Sequence, residues 1–171
     1  MLGFLLFALV LVFIILSEFI AFIRTRVPFV PTTAGDIEFI VNKLGISPHK
    51  VFYDLGSGNG KVVFLVEKLT GARVTGFELS WWTILFAKLK AKLTGSKASL
   101  LTRIFLSKTG GADIIYCYLY PPLMARIEEK FKQEMQPGSI AIVRDFPFPN
   151  MPHEYKYYLP KKHEIYIYKK L

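Results

Sequence analysis

The residues best suited to chemistry lie in one glycine-rich stretch, VFYDLGSGNG, at positions 51–60. An apolar run carries one acid, Asp54, and continues into glycines at the alternate positions 56, 58 and 60. Alternate glycines let the backbone turn tightly and let a ligand approach the main chain where a Cβ would otherwise stand. The amphipathic segment that follows predicts a helix, whose first N–H groups have no partner within the helix. The stretch therefore predicts a strand, a ligand-binding corner and a helix; residues 54–60 are called the glycine corner below.

The spacing of these glycines separates two classes of nucleotide cofactor. A dinucleotide fingerprint needs its third glycine three positions after the second, and that position is Lys61. The pattern G-x-G-x-G, with Asp54 ahead of it, resembles the motif of class I S-adenosylmethionine (SAM) methyltransferases. SAM has no pyrophosphate, and its ammonium group suits a nearby carboxylate. The corner is therefore predicted to bind SAM through Asp54, Gly56, Ser57, Gly58, Asn59 and Gly60.

A second acid is placed to complete this cofactor site. Glu78 ends a predicted strand that begins at Arg73, 18 positions after Gly60. A carboxylate at the end of the second strand accepts the ribose hydroxyls in nucleotide-binding α/β sheets. The alternative interpretation is a solvated residue at a strand end.

Other kinds of site find little support in the sequence. Ser57 lies in G-S-G rather than in the G-x-S-x-G elbow of a hydrolase. The three histidines, His49, His153 and His163, show no metal-ligand spacing, so we expect them at surface or edge positions. The single cysteine, Cys117, excludes a disulfide framework and is expected to be a buried thiol, because it lies in an apolar run.

The first residues of the chain predict a membrane anchor. Residues 2–23 are almost wholly apolar, and a bilayer needs about 20 such residues. Arg24 and Arg26 follow this run, so the positive-inside rule places the remaining chain in the cytoplasm. We therefore expect a single-pass membrane protein with a cytoplasmic catalytic domain. The net charge of +9 suits an anionic membrane surface, and it would also suit acidic partners or nucleic acid.

The remaining pattern predicts one α/β domain. Three segments are expected: an anchor over residues 1–23, a proline-rich link over 24–32, and a methyltransferase domain over 33–171. A helix starts at Thr32 or Thr33 with Asp36 completing a capping box. Apolar runs then alternate with amphipathic segments, and the tail forms a hairpin about residues 160–162. This order predicts an open, doubly wound, mostly parallel sheet of the Rossmann-like class I methyltransferase type, with an antiparallel C-terminal hairpin.

The helix predicted over residues 80–93 has an amphipathic pattern. Its apolar side is expected to comprise Trp82, Leu85, Phe86 and Leu89. Its solvent side is expected to comprise Lys88, Lys90 and Lys92.

Candidate catalytic residues follow two buried runs at the carboxyl edge of the predicted sheet, where ligands bind. The first run ends near Tyr118 and Tyr120, and the second ends at Asp145. An aromatic pocket, expected to consist of Tyr118, Tyr120, Phe146 and Phe148, would suit an alkylammonium group. Asp145 lies beside it and could orient an amine nucleophile before attack. The alternatives are strand core for Tyr118 and a loop brace for Asp145.

Five segments together resemble a known enzyme family. They are PFVPT (28–32), DLGSGNG (54–60), GFELS (76–80), YLYP (118–121) and DFPFP (145–149). The family comprises small membrane-anchored protein-lysine methyltransferases that act on the ATP synthase c subunit and the adenine nucleotide translocase, with prokaryotic relatives. The resemblance implies methyl transfer from SAM to a lysine of a protein in or at the membrane. It also implies that Thr32 belongs to the cofactor site, that membrane lipid is a partner, and that nucleic acid is not.

The chain departs from the family pattern at two places, of which the first favours a non-catalytic module, while the anchor and the aromatic residues suit a lipid acceptor equally well. The family usually carries an acid after the third strand, close to the adenine, but residues 102–106 read TRIFL. Ser80 also stands where Asn is usual. The alternatives are a methyltransferase for a lipid or another small membrane-bound acceptor, and a non-catalytic SAM-binding module.

Overall fold

One seven-stranded sheet organises the fold in the computed structural model, which describes residues 1–25, 32–103 and 110–171. The strands are β1 (Val51–Leu55), β2 (Arg73–Glu78), β3 (Ser99–Thr102), β4 (Ile114–Cys117), β5 (Ile140–Arg144), β6 (Tyr155–Tyr158) and β7 (Glu164–Lys169). Their order is β3-β2-β1-β4-β5-β7-β6. The first five strands pair in parallel, whereas β7 pairs antiparallel with both β5 and β6. The predicted sheet and its terminal hairpin are confirmed.

Five α-helices accompany the sheet in the described part of the chain. They are α1 (Leu2–Thr25), α2 (Ala34–Leu44), α3 (Lys61–Thr70), α4 (Trp81–Thr94) and α5 (Pro121–Glu134), with a 3₁₀ turn at Pro160–Lys162 between the hairpin strands. Helices α3, α4 and α5 each connect one parallel strand to another, as a doubly wound sheet requires.

The start of α2 shows how local sequence determines an element boundary. The Thr33 hydroxyl accepts a hydrogen bond from the Asp36 N–H at 3.2 Å, and the Asp36 carboxylate accepts one from the Thr33 N–H at 3.2 Å. This reciprocal pair is the predicted capping box, and it selects Thr33 rather than Thr32 as the N-cap. The helix ends at Gly45, whose φ of +56° is accessible to glycine at little cost.

The sheet separates two hydrophobic cores. One core packs side chains of alternate strand positions, such as Phe52 and Val74, against α2, α3 and α4. The other packs Ile115 and the buried Cys117 against α5. The apolar residues on one side of α5 are all buried: Leu123, Met124, Ile127 and Phe131, with Met135 directly after the helix.

The orientation predicted for α4 is wrong. The buried residues of this helix are Ile84, Ala87 and Ala91, whereas Leu85, Phe86 and Leu89 are exposed. Two alanines at i and i+4 let the helix backbone approach the sheet closely, so the small residues take the inward face. The larger apolar side chains therefore point outward, and Trp82 is half-buried.

The predicted anchor segment is helical, but its role as a membrane span is not confirmed. Helix α1 covers Leu2–Thr25, and most of its described side chains up to Leu16 are exposed and apolar. Within the residues that the structure describes, no helix has the combination of length and apolarity needed to cross a membrane. Of the predicted proline-rich link, residues 26–31 lie outside the described residues.

Candidate functional site

The glycine corner is tied to the end of β2 by main-chain hydrogen bonds. The N–H groups of Gly56 and Ser57 both donate to the carbonyl of Phe77, at 2.9 Å each. Gly56 has a φ of +90°, and a Cβ there would stand 2.7 Å from Cδ2 of Leu119. Asn59, at the exposed side of the corner, accepts a bond from the Lys61 N–H at 3.3 Å. The corner thus has a conformation that only glycine accommodates at this position.

Gly76 contributes a contact that the sequence analysis did not identify. A Cβ on this β2 residue would lie 2.7 Å from Oγ of Ser57 and 2.8 Å from Cγ2 of Val63. The corner and the start of α3 therefore pack directly on the strand at Gly76. A glycine inside a strand is itself the signal, since it marks a close approach of another segment.

Glu78 braces the corner with both carboxylate oxygens. Its Oε2 accepts from the Gly58 N–H at 2.9 Å. Its Oε1 accepts from the N–H groups of Leu79 and Ser80, at 2.8 Å each. The structure thus joins Glu78 to the glycine corner, as the prediction of a common cofactor site requires, and binding of the ribose hydroxyls stays a prediction.

Asp54 is a buried acid at the base of the corner. Burial, followed by the neighbouring charge of Glu78, raises its pKa to about 8. Within the described residues, Oδ2 of Asp54 and Oγ of Ser57 are buried without a hydrogen-bond partner. Buried polar atoms are ordinarily satisfied, so the pair is suited to a polar or cationic ligand group. These residues fit the ammonium group of SAM.

Three of the four residues expected in the aromatic pocket come together. The rings of Tyr118 and Phe146 lie nearly parallel with centroids 6.3 Å apart, and Tyr120 lies 6.5 Å from Phe146. Phe148 does not join them, so its assignment to the pocket is wrong. Its ring packs 4.4 Å from that of Tyr168, and its N–H donates to the Tyr168 hydroxyl at 2.9 Å. The alternation of the DFPFP segment therefore sends Phe148 into the core beside α5.

Asp145 is braced from β7 and contacts a histidine. Its φ is +60°, a conformation that costs a non-glycine residue about 1 kcal/mol. One oxygen accepts from the Glu164 N–H at 2.8 Å, and the other lies 2.8 Å from Nδ1 of His163. Burial, followed by the hydrogen bond to Asp145, raises the pKa of the nearby Tyr118 to about 12. Asp145 thus links the pocket to the hairpin as a loop brace, and its catalytic role stays a prediction.

His163 is the site residue that sequence reasoning missed. We expected it at a surface or edge position, yet its ring lies edge-on to Tyr118 with centroids 6.5 Å apart. No spacing signal links it to Asp145, 18 positions earlier. Only the antiparallel pairing of β5 with β7, in which Arg144 lies opposite Ile165, brings the two together.

A buried ion pair supports the site from behind. Arg144 lies 2.8 Å from the Asp36 carboxylate, and its guanidinium stacks 4.8 Å from the Tyr118 ring centre. Burial raises the pKa of Asp36, but the Thr33 hydrogen bonds and the charge of Arg144 outweigh it and leave that pKa lowered. The start of α2 is thereby fixed to the end of β5.

Thr32 is the last of the predicted cofactor residues. The Thr32 hydroxyl lies 3.0 Å from that of Tyr116, the β4 residue that pairs with Asp54. Thr32 is therefore buried beside the glycine corner, and its contact with SAM stays a prediction. The region expected to carry the missing acid falls partly outside the described residues, which omit 104–109.

Comparison with known proteins decides the family. A model of the ANTKMT methyltransferase domain matches residues 54–155. A curated mouse protein, adenine nucleotide translocase lysine N-methyltransferase, is 30% identical over 130 residues, which make up 74% of this chain and 56% of the mouse protein. The chain belongs to the ANTKMT methyltransferase domain family. Membership confirms the predicted enzyme class, methyltransferase, and with it SAM as the methyl donor.

Solved structures with similar folds agree with this class. An RNA methyltransferase from Salinibacter ruber, in complex with S-adenosyl-L-homocysteine, superposes with a TM-score of 0.78 at 22% identity, over 82% of this chain and 93% of that one. A SAM-dependent methyltransferase from Thiobacillus denitrificans, with the same ligand, gives a TM-score of 0.61 at 20% identity, over 68% and 50% of the two chains. These likenesses confirm the class I methyltransferase fold of this ANTKMT-family chain.

Proposed function

We propose that this chain transfers methyl groups from SAM to a lysine side chain of a protein at a membrane. The observation that carries the proposal is the aromatic pocket of Tyr118, Tyr120 and Phe146, with Asp145 and His163 at its side. The lysine specificity of the mouse relative supports the same acceptor. The chain spans only 56% of that protein's length, so its acceptor is carried over as part of the proposal.

The donor would be held by residues of the β1 and β2 ends. The glycine corner would accommodate it, Asp54 would pair with its ammonium group, and Glu78 would accept from its ribose. When bound, SAM supplies an electrophilic methyl group on a positively charged sulfur. All other requirements of the reaction fall on this chain's own side chains.

The acceptor amine must be uncharged and shielded from water before it attacks. Aromatic faces attract an alkylammonium group and hold its stem in one orientation, which is the role we assign to Tyr118, Tyr120 and Phe146. Nδ1 of His163 lies against the Asp145 carboxylate, so the hydrogen bond favours a proton on Nδ1 and leaves Nε2 able to accept one. The lysine ammonium would thus lose its proton to His163 Nε2. Positioning and desolvation would supply most of the remaining rate enhancement.

Membrane association is the second part of the proposal. Helix α1 exposes apolar side chains such as Phe4, Leu6 and Phe7 to its surroundings. The arginines at positions 24 and 26 place the catalytic domain on the cytoplasmic side under the positive-inside rule. Alkaline carbonate extraction of membranes separates the two modes of attachment: a spanning anchor stays in the pellet, and a peripheral helix is released.

The acceptor is tested by incubating membranes with methyl-labelled SAM and the full chain. Label should enter protein and be recovered as methyl-lysine after hydrolysis. Tyr118→Phe and His163→Gln should lower the rate at least tenfold while SAM affinity, measured by calorimetry, changes little. Tyr155→Phe, on the exposed face of β6, is the matched control and should leave both unchanged. Label in lipid would replace the lysine acceptor with a lipid one, and SAM binding without any transfer would leave only a SAM-binding module.

A further inference from the structure

Helix α4 is apolar on two opposite faces. Its inward face packs Ile84, Ala87 and Ala91 against the sheet. Its outward face presents five large apolar side chains, all exposed: Trp81, Leu85, Phe86, Leu89 and Leu93. Such a helix would be buried on both sides in the core of a larger protein, but here the outward face has no core opposite it among the described residues. We call these five residues the outer α4 face.

The outer α4 face is continuous and edged by positive charge. Positions 81, 85, 89 and 93 follow one another at intervals of one turn, so they form a stripe along the whole 14-residue helix. The stripe is about 21 Å long. At 100° per residue, Lys88 and Lys92 lie along one margin of the stripe and Lys90 lies along the other. All three lysines are exposed, so their charges remain available to an anionic surface.

The same face meets the exposed N-terminal helix. Phe13 of α1 lies 6.2 Å from both Trp81 and Trp82, measured between ring centroids. The two tryptophans stack on each other at 3.9 Å. Apolar surface therefore continues from α1 onto the start of α4. Indole rings are the side chains most enriched where apolar and polar phases meet in a bilayer.

We propose that the outer α4 face lies on an anionic lipid bilayer, with α4 parallel to the membrane plane and α1 beside it. An apolar stripe bordered by lysines is the pattern of an interfacial helix. A second copy of this chain is a poorer occupant, because it would bring two lysine-edged faces together in molecules of net charge +9 each. This inference rests on the proposed membrane association, to which it adds the face and the orientation of the domain.

The orientation has a consequence for the active site. Trp81 follows Glu78 by three positions, so the start of α4 adjoins the carboxyl edge of the sheet. With α4 on the surface, the cofactor corner lies close to the headgroups. An acceptor lysine would then be reached just outside the bilayer.

The two tryptophans make the proposal directly measurable. Trp81 and Trp82 are the only tryptophans in the chain, so intrinsic fluorescence reports on the start of α4. The full chain is titrated with vesicles of phosphatidylcholine alone and of phosphatidylcholine with phosphatidylglycerol. We expect a blue shift and stronger binding to the anionic vesicles, and quenching when the lipid chains are brominated close to the headgroup.

A pair of charge-inserting variants separates α4 from α1. Leu85→Glu with Leu89→Glu places acids at positions that are 46% and 55% exposed, so the fold should be retained. The matched control, Tyr155→Glu with Tyr158→Glu, alters side chains that are 52% and 72% exposed on β6, at the opposite edge of the sheet. The α4 pair should weaken vesicle partitioning at least tenfold, and the β6 pair should leave it unchanged. Lys88→Gln with Lys92→Gln should weaken binding to anionic vesicles about fivefold for each lysine removed.

The possible results distinguish this inference from the broader proposal. If the α4 pair partitions like the wild type, α1 alone contacts the membrane: the inference is overturned and membrane association survives. If the wild type binds no vesicles, both are overturned. If the α4 pair converts a dimer into a monomer in sedimentation while vesicle binding is unchanged, the face is a contact between copies. SAM affinity and circular dichroism of each variant confirm that the fold is intact.

Discussion

At the scale of single residues, Asp54 couples folding to pH. Its carboxyl is buried, and its pKa is raised to about 8, whereas an exposed aspartate titrates near about 3.9. Between these values the folded protein binds a proton that the unfolded chain has lost. The free energy of unfolding therefore falls as pH rises through this window, because the slope follows the difference in bound protons.

The prediction for Asp54 is a ligand-free protein that is more resistant to urea at pH 5 than at pH 8.5. Each pKa unit corresponds to about 1.4 kcal/mol, and Asp54→Asn should remove most of this pH dependence. Asp113→Asn is the control: hydrogen bonding to the Val51 N–H lowers the pKa of Asp113, so its contribution to stability changes with pH only in acid, and this variant should keep the slope between pH 5 and pH 8.5. An unchanged slope in Asp54→Asn would contradict the assignment.

SAM provides a second readout at the same residue. If Asp54 pairs with the ammonium group, binding must remove its proton, so affinity should rise by up to about tenfold per pH unit below the raised pKa. Calorimetry in two buffers of different ionisation enthalpy counts the proton released. Affinity that is independent of pH from 6 to 8 would exclude Asp54 as the partner.

At the scale of elements, the glycine corner packs directly on β2 at Gly76. Gly76→Ala would place a methyl group 2.7 Å from Oγ of Ser57. Ser57 cannot move away easily, because the N–H groups of Gly56 and Ser57 are hydrogen-bonded to the Phe77 carbonyl. We expect a loss of stability of about 1–3 kcal/mol from overpacking, with weaker SAM binding. Thermal unfolding and calorimetry measure the two effects. Gly35→Ala in α2, where a Cβ meets nothing within 4 Å, should be neutral or stabilising.

The link between α2 and β5 gives a prediction of larger size. Asp36→Asn leaves Arg144, which is almost fully buried, without its nearer carboxylate partner, while Asp145 stays 3.8 Å from Nε, so we expect a loss of about 3 kcal/mol in urea unfolding. The pKa of Asp36 is lowered, so in the wild type this contribution is present above the unfolded pKa and is lost as pH falls through the range below it.

The control for this link lies two positions along the same helix. Glu38→Gln removes an exposed charge from α2 and should change stability by less than about 0.5 kcal/mol. Equal losses in the two variants would show that net charge, rather than the ion pair, matters.

Local sequence predicts the boundaries of these elements better than it predicts their orientation. An element boundary can be predicted from the sequence where a local signal marks it. Examples are the Thr33 cap, the Gly45 stop and the alternate glycines of the corner. The orientation of α4 could not be predicted, because the helix has two apolar faces and the hydrophobic pattern does not show which of them packs on the sheet. Ala87 and Ala91 took that face because they are small.

Only part of the acceptor side of the site could be predicted from the sequence. Tyr118 and Tyr120 follow a buried run and were found from that position. His163 and Phe148 depend on the register between β5 and β7, a long-range pairing with no local signature.

At the scale of the whole molecule, we expect the catalytic fold to form without its first helix. The buried hydrophobic side chains of the described chain lie between Ile37 and Tyr168. Deleting residues 1–25 should therefore leave SAM binding intact and shift the urea midpoint little. The expected change is local: loss of Phe13 uncovers Trp81 and Trp82, so their fluorescence should shift to the red. Failure of the truncated chain to fold would show that α1 belongs to the folding unit.

The placement of β7 determines the order in which the two sides of the site are synthesised. This strand follows β6 along the chain but lies between β5 and β6 in the sheet, and His163 directly precedes it. Because synthesis starts at the amino end, residues 51–78, which form the donor side, are made long before residue 163. The acceptor side, by contrast, waits for β7 to enter beside β5. Under the proposed function, the residues of the donor side are therefore the first part of the site to be synthesised, and the acceptor side cannot be complete until the hairpin has been made.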